Sequence, residues 1–332
     1  MEFIKYVASR FFTFMLVILI GITAVFFLAR VMPSDPVENM ISQVQNQSGY
    51  MDPGVVSKMR EVMTQNFGLE GTSFEQYFAY MKRVIFTQDF GPSFSSYPTP
   101  VVKLIGDALP WTFGLLLSTT LLAFIIGNAI GLLAGMKSDK LYSKILEWFS
   151  MILYPIPYYI IALVLSILFS YVFPIFPLVT TIFAKPWTWQ FVREVVYNSF
   201  LPALSLLLIG TGWWVLSMRT LSRDIAEEDF VTFARQKGLS GSRIMTRYVM
   251  RNAMPSQVTI LALRIGSIFS GSMLTEIIFS YPGLGTLTYK AILSSDYNLM
   301  MGTITLSIIT VSLSTFLIDL FYPLLDPRVR YK

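Results

Sequence analysis

A run of polar residues within the hydrophobic stretch 256–279 could bind or conduct a polar solute. Arg264 lies deep in this stretch, where a charge facing lipid would be costly. One helix face would carry four of its residues at the spacing i, i+3, i+7 and i+11: Arg264, Ser267, Gly271 and Thr275. Glu276 is twelve residues from Arg264, about 18 Å along a helix, so these two charges cannot pair directly. The stripe predicts a water-filled path or a contact with another subunit, with a structural ion pair elsewhere as the alternative.

Two adjacent tryptophans precede this stretch in a second hydrophobic segment, 199–219. The rings of Trp213 and Trp214 could line a path for sugars or apolar side chains. Packing against lipid or core is the alternative, and the abundance of aromatic side chains near membrane interfaces favours it.

Several reaction chemistries are excluded by what the sequence lacks. It contains no cysteine and no histidine. Thiolate metal sites, cysteine nucleophiles and a Ser-His-Asp triad are therefore impossible. No phosphate-binding Gly-x-x-x-x-Gly-Lys-Ser/Thr motif is present, so we expect no ATP hydrolysis by this chain and no bound metal or cofactor.

The segment 229–252, here called the corner segment, is basic and lies between two hydrophobic stretches. Asp229 is a suitable helix N-cap, and Lys237 falls in the last turn, where a positive charge suits the helix dipole. Gly238 can end this helix with a positive φ. Ser240 or Ser242 can begin a second helix that ends near Ala253, before Pro255. Without further context, the corner segment is a surface loop.

The elements that position these residues are membrane helices. Of 332 residues, 54% are hydrophobic and 14% charged, which is typical of a membrane protein. Lysine and arginine concentrate at the termini and in alternate loops, which predicts that both termini are cytoplasmic. The sequence therefore predicts an all-α polytopic protein with six transmembrane helices and a helical external insertion after the first. Six stretches can span a bilayer: 11–32, 109–136, 145–173, 199–219, 256–279 and 300–322.

We predict three regions along the chain. They are residues 1–32 with the first helix, an external lobe at 33–108, and a five-helix core at 109–332 that contains a cytoplasmic loop at 220–255. The lobe begins with a turn at residues 32–36. Amphipathic patterns predict one lobe helix after Asp52-Pro53 and another over about 73–87.

Two further patterns concern packing within the core. Gly127, Gly131 and Gly135 form a small-residue ridge on the second span, and internal packing is favoured over a dimer contact. Pro155 and Pro157 should kink the third span.

Nine short motifs occur in order along the chain: Arg10-Phe-Phe, Phe27–Pro36, Gln76-Tyr77, Asp89–Ser93, Phe230–Ser240, Arg251-Asn-Ala, Arg264-Ile-Gly, Glu276–Gly285 and Asp326-Pro-Arg. Together they resemble the permease subunits of peptide/nickel-type ABC importers, in the dipeptide and oligopeptide permease B branch. Ser34 stands where that family usually has glycine, and Thr232 and Phe233 replace the Glu-Ala of the general coupling-loop pattern.

The resemblance implies half of a translocation path. The chain would pair with a second, homologous permease as a heterodimer, with two cytoplasmic ATPases that hold ATP and Mg, and with an external solute-binding protein; it would lie in a prokaryotic cell membrane and bind no nucleic acid. It implies ATPase coupling through Asp229, Phe230, Phe233, Ala234, Lys237, Gly238, Arg251 and Asn252. Phe230, Phe233 and Ala234 would insert into a groove of the ATPase, where a small residue at 234 would let the two backbones approach closely. The resemblance places an external gate or dock at Glu276, Pro282, Gly283, Gly285, Asp89 and Gly91. Independently of the resemblance, residues 281–285 predict an external turn with a positive φ at Gly283 and Gly285.

Other functions remain open at this stage. The family's cargo includes peptides, nickel complexes and oligosaccharides, and the lack of histidine argues against direct metal ligation. A secondary transporter is the rival class, but no acidic residue lies near the middle of a predicted span, where such proteins place ion relays. A membrane anchor or receptor subunit would explain the external lobe but not the polar stripe at Arg264.

Overall fold

The computed structural model describes residues 2–31, 36–48, 52–184, 186–268 and 272–325. The described backbone consists of helices and loops, and one isolated antiparallel bridge joins Pro92 and Pro100. The helices are α1 (Glu2–Val31), α2 (Pro36–Ser48), α3 (Pro53–Asn66), α4 (Ser73–Lys82), α5 (Val101–Met136), α6 (Leu141–Leu153), α7 (Tyr158–Ser166), α8 (Trp189–Ala226), α9 (Asp229–Gln236), α10 (Gly241–Ile244), α11 (Arg251–Ser267), α12 (Met273–Ile278), α13 (Leu284–Leu293) and α14 (Tyr297–Leu325). Single π-helical turns follow α4, α7 and α10 at Arg83–Thr87, Ile167–Val172 and Met245–Met250.

Within the described residues, four helices are long and apolar enough to cross a membrane: Ile4–Val31, Val101–Met136, Trp189–Ala226 and Tyr297–Leu320. A fifth candidate is the bent pair Leu141–Leu153 and Tyr158–Val172. The stretch predicted as a span at 256–279 contains the 17-residue α11 and the six-residue α12. The all-helical membrane class is therefore confirmed, with four to five candidate spans.

The chain divides into two compact units. The larger comprises residues 1–7, 113–281 and 314–332, and the smaller comprises 8–112 and 282–313. The predicted division into 1–32, 33–108 and 109–332 follows chain order and stays a prediction. The motifs at residues 32–35 and 326–328 lie outside the described residues.

In the larger unit, α8 packs closely on α5 because three glycines remove side chains between the two helices. A Cβ at Gly131 would lie 2.7 Å from the carbonyl oxygen of Val215, and one at Gly135 would lie 2.6 Å from that of Arg219. Real side chains do not tolerate such distances. The internal packing predicted for this glycine ridge is thereby confirmed.

An ion pair between the buried Arg219 and the half-buried Glu147 joins α8 to α6. The Arg219 guanidinium donates to Glu147 at 2.6 Å and to the Ser143 hydroxyl at 3.2 Å. Ser143 in turn donates to the Ala134 carbonyl at the end of α5, at 2.7 Å. Helices α5, α6 and α8 are thus held together by hydrogen bonds as well as by packing.

The proline-rich turn at 154–157 bends the chain more sharply than a kink. Helices α6 and α7 meet at 95° there. Proline has no backbone N–H, so Pro155 and Pro157 cannot continue the α-helical hydrogen bonds. The position of the predicted bend is confirmed, and the bend separates two helices.

In the smaller unit, the two predicted lobe helices are present and capped as their sequences indicate. The Asp52 carboxylate accepts the Gly54 amide at 2.7 Å, with proline at the start of α3. Thr72 and Glu75 form a capping box at the start of α4. Helix α2 was not predicted, although Val37, Met40, Ile41 and Val44 repeat at i, i+3, i+4 and i+7 within the mostly polar segment Pro36–Ser48.

Candidate functional site

A cavity of about 240 Å³ lies in the larger unit, between α5, α7, α8 and α11. Most of its wall is apolar. Five polar side chains also line it: Thr119, Thr120, Tyr158, Arg264 and Ser272. One cation and four hydroxyls give this cavity the means to hold a polar solute by hydrogen bonds and charge.

The Arg264 guanidinium lies over both tryptophans of α8. Its central carbon is 4.4 Å from the ring centre of Trp213 and 5.6 Å from that of Trp214. Such cation–π contacts stabilise a partly desolvated cation. Trp214 is fixed by burial and by an edge-on contact with Phe124 at 5.0 Å. The structure therefore brings together three predicted path residues from two helices.

The other residues of the predicted polar stripe do not follow one continuous helix. Helix α11 ends at Ser267, Gly271 lies outside the described residues, and Thr275 is buried in the separate helix α12. The spacing argument assumed an unbroken helix, so the single face from Arg264 to Thr275 is wrong as predicted. Ser272, which sequence reasoning passed over, lines the cavity and shows no hydrogen-bond partner for its buried hydroxyl among the described residues.

Sequence reasoning also missed Thr119, Thr120 and Tyr158. The two threonines follow Ser118, so three consecutive polar residues interrupt a mostly apolar part of α5, which was an available signal. Tyr158 follows the proline-rich turn, and nothing in its local sequence marks it as a cavity residue.

The corner segment has two faces, one buried and one exposed. Val231 and Ala234 are fully buried, in a cluster with residues of α8 and α11. Phe230 and Phe233 are 43% and 57% exposed. Since Ala234 packs inside this chain, its predicted close approach to a partner's backbone is not supported in this conformation. The exposed aromatic pair is the surface available to a partner.

The boundaries of the corner segment differ slightly from prediction. Glu228 is the N-cap of α9 and Asp229 its first helical residue. Gly238 has φ of +76°, as predicted for the corner glycine. The second helix does not stop before Pro255: a π-helical turn leads into α11, which continues through that proline.

The remaining coupling candidates border the aromatic pair or begin α11. The Lys237 ammonium lies 4.6 Å from the centre of the Phe233 ring. Arg251 and Asn252 are exposed in the first turn of α11, and the Asn252 amide donates to the Tyr248 carbonyl at 2.6 Å.

Helices α8 and α11 physically join the corner segment to the cavity. Ala226 of α8 and Ala253 of α11 belong to the same buried cluster as Ala234, while Trp214 and Arg264 lie at the cavity. The separations are about 18 Å along α8 and about 16 Å along α11, at 1.5 Å per residue. Between these points the buried Gln257 amide of α11 donates to the Ser217 hydroxyl of α8 at 2.9 Å.

The predicted external residues fall in both units. Glu276 is fully buried in α12, so it cannot touch an external protein in this conformation, and its role in a gate stays a prediction. Gly283 is extended at φ −97° and Gly285 is helical, whereas Ser280 has φ of +49°. The predicted positive φ at these two glycines is therefore wrong.

The other external candidates lie in the smaller unit. Pro282 is exposed beside the buried Gly283 and Gly285. The Asp89 carboxylate accepts the Gly91 amide at 2.8 Å, in a turn where Gly91 has φ of +84°.

Comparison with known proteins agrees with this arrangement. Residues 127–331 match the family described as "Binding-protein-dependent transport system inner membrane component". The oligopeptide transport system permease protein AppB of Bacillus subtilis is 30% identical over 319 residues, covering 95% of this chain and 96% of the relative. The oligopeptide permease OppB of Haemophilus influenzae is 28% identical over 329 residues, covering 99% and 100%. The dipeptide permease DppB of Bacillus subtilis is 26% identical over 326 residues, covering 98% of each.

A polytopic helical protein with a polar cavity and a helical corner joined to it by two helices has the organisation of a transport permease. The chain belongs to the inner-membrane component family of binding-protein-dependent transport systems. It is a transmembrane permease subunit of an ABC importer and a multi-pass protein of the cell membrane. The resemblance drawn from its motifs is confirmed.

Proposed function

We propose that the chain forms half of a path for peptides, in a heterodimer with a second permease. The names of the relatives, which are oligopeptide and dipeptide permeases, support peptide cargo. The cavity chemistry agrees, because a peptide carries a carboxylate that a cation can bind and amides that hydroxyls can bind. Two cytoplasmic ATPases, which hold ATP and Mg, drive the pair, and an external binding protein delivers the cargo.

The membrane topology that goes with this function has six passes and cytoplasmic termini. In it, α11 and α12 together make the fifth pass, and α6 with α7 make the third. The lobe 33–108 is external, and the corner segment is cytoplasmic. The excess of lysine and arginine in the segments assigned to the cytoplasm supports this orientation.

The coupling proposal rests on α8 and α11, because both helices contribute residues to the buried cluster of the corner segment and to the cavity wall. An ATPase that binds Phe230 and Phe233 in a groove moves the buried cluster behind them. Because α8 and α11 extend from that cluster to Trp214 and Arg264, the movement alters the cavity wall. Rigid helices of this kind are a common means of switching access.

Substitution of the corner glycine tests this coupling. Gly238→Val forces a β-branched residue into φ of +76°, although nothing lies within 4 Å of its Cβ position. We expect reconstituted complexes to assemble but to lose most of their ATP-dependent peptide uptake. The matched control is Gly241→Val, which also meets nothing within 4 Å but does not have a positive φ. Full uptake by the Gly238→Val complex would contradict the coupling proposal.

Substitution of the cavity arginine tests the path and the cargo. Arg264→Ala should reduce ATP-driven uptake of a labelled tripeptide more than Arg264→Lys does, while ATPase subunits remain bound. Comparison with an amidated tripeptide and with a maltooligosaccharide identifies the cargo class. Equal uptake of all three compounds, or uptake unchanged by Arg264→Ala, would refute the peptide path.

A further inference from the structure

The α4 helix of the smaller unit lies beside the last turns of the membrane-spanning α1. The Tyr77 hydroxyl is 2.8 Å from the Thr23 hydroxyl. The rings of Phe26 and Tyr77 are 5.5 Å apart, and those of Phe27 and Phe74 are 6.2 Å apart. These contacts fix the depth of α4 relative to α1.

That depth is within the apolar part of α1. The candidate span extends to Val31, so Phe27 lies about 6 Å and Thr23 about 12 Å before its end, at 1.5 Å per residue. The interfacial layer of a bilayer adds roughly 5 to 8 Å beyond each side of the hydrocarbon core. Helix α4 therefore lies at the level of the bilayer boundary and not wholly above it.

The exposed face of α4 has the composition that such a position requires. Phe74 and Phe78 are 68% and 67% exposed, and Ile85, in the π-helical turn that follows, is 57% exposed. Their spacing of i, i+4 and i+11 places them on one side. Lys82 is exposed on the same helix and can reach toward water or headgroups.

This apolar strip is continuous with an exposed apolar side of α1. Phe74 contacts Phe27, and beyond Phe27 on α1 lie Leu28 and Val31, which are 64% and 82% exposed. A soluble lobe rarely exposes several large apolar side chains side by side. An amphipathic helix in the membrane interface does so because its apolar face is buried at the boundary between headgroups and acyl chains.

We propose that α4 and the turn after it are inserted into the lipid leaflet at which α1 ends, with Phe74, Phe78 and Ile85 in contact with acyl chains. The leaflet is the outer one if the topology under the proposed function holds, but the insertion itself does not depend on that function. The smaller unit is thus anchored to lipid as well as to its own spanning helix.

Site-directed spin labelling tests the insertion, since this chain has no cysteine of its own. Phe78→Cys and Ile85→Cys are labelled in the full importer complex, with partner cysteines replaced, in nanodiscs of phosphatidylethanolamine and phosphatidylglycerol. The matched control is Val62→Cys on α3, which is 53% exposed and follows the charged residues Arg60 and Glu61. We expect the labels at 78 and 85 to collide several-fold more with oxygen than with a water-soluble nickel chelate, and the label at 62 to show the reverse.

Two results would overturn the insertion. One is water-like accessibility at both 78 and 85 in nanodiscs. The other is protection of these positions only after the binding protein is added, which would make the strip a protein dock. Measuring two positions guards against a single variant that folds poorly, and the pattern is independent of whether peptides are transported.

Discussion

Replacement of Phe233 by alanine should weaken the attachment of an ATPase subunit while leaving the permease itself intact. Phe233 is 57% exposed. A phenylalanine offers about 200 Å² of surface, so about 110 Å² is available to a partner. At about 25 cal/mol per Å², burial of this surface contributes about 3 kcal/mol. The expected loss of affinity is therefore up to about 100-fold.

The same reasoning gives a smaller effect for the neighbouring aromatic residue. Phe230 is 43% exposed, which corresponds to about 2 kcal/mol or roughly a 30-fold loss. The order of the two effects is thus fixed by their exposure. Gln236→Ala, on the same short helix, removes no aromatic surface and should leave affinity within about twofold.

The assay is titration of a fluorescent ATPase subunit onto nanodiscs that contain both permeases. Two binding steps are expected, one for each permease, and only the step that belongs to this chain should shift to higher concentration. Thermal unfolding of the permease pair should change little, because Phe233 is mostly outside the core. An unchanged half-saturating concentration for Phe233→Ala would refute the assignment of this face, and so would an effect of Gln236→Ala of equal size.

Three further predictions concern stability. Gly131→Ala should destabilise the protein by about 1–3 kcal/mol in thermal unfolding, because its methyl group would meet the α8 backbone. The control is Gly114→Ala on the same helix, which meets nothing within 4 Å and should be neutral or slightly stabilising. Arg219→Met should lower the free energy of unfolding by about 3 kcal/mol, because it leaves the half-buried Glu147 without its cation. The double variant Arg219→Met/Glu147→Met should recover much of that loss. Equal melting temperatures for the single and double variants would contradict this. Hydrogen bonds from the Thr72 backbone and side chain lower the pKa of Glu75. The contribution of this cap to stability is therefore fully present at pH values above the ordinary pKa of glutamate, and it is lost as the pH falls through the lowered pKa. The protection factor for hydrogen exchange in the first turn of α4, which corrects for the pH dependence of the intrinsic exchange rate, should therefore fall below about pH 4. Glu75→Gln should remove this fall.

Local sequence patterns predicted those features of the fold that depend on neighbouring residues. The cap at Asp52, the corner at Gly238 and the glycine ridge of α5 each follow from a few side chains and their spacing. Hydrophobic length likewise identified the four helices and the bent pair that can cross a membrane within the described residues, because the bilayer imposes a minimum length on any helix that crosses it.

Features that depend on tertiary packing could not be read in this way. The interruption between α11 and α12 breaks a periodicity that looked continuous, and no proline within it signals the break. The cavity joins Thr119, Tyr158 and Arg264 from three separate helices. Burial of Ala234 was missed because an alanine on an amphipathic helix fits either the core or a close contact with a partner.

The length of α8 sets how far a tilt of this helix displaces its different parts. Its 38 residues extend for about 57 Å. A tilt of about 5° about its Ala226 end would displace the Trp189 end by about 5 Å but Trp214, at the cavity, by only about 1.6 Å. Under the proposed coupling, a change of a few degrees at the corner segment therefore moves the far end of α8 about three times as far as the cavity wall.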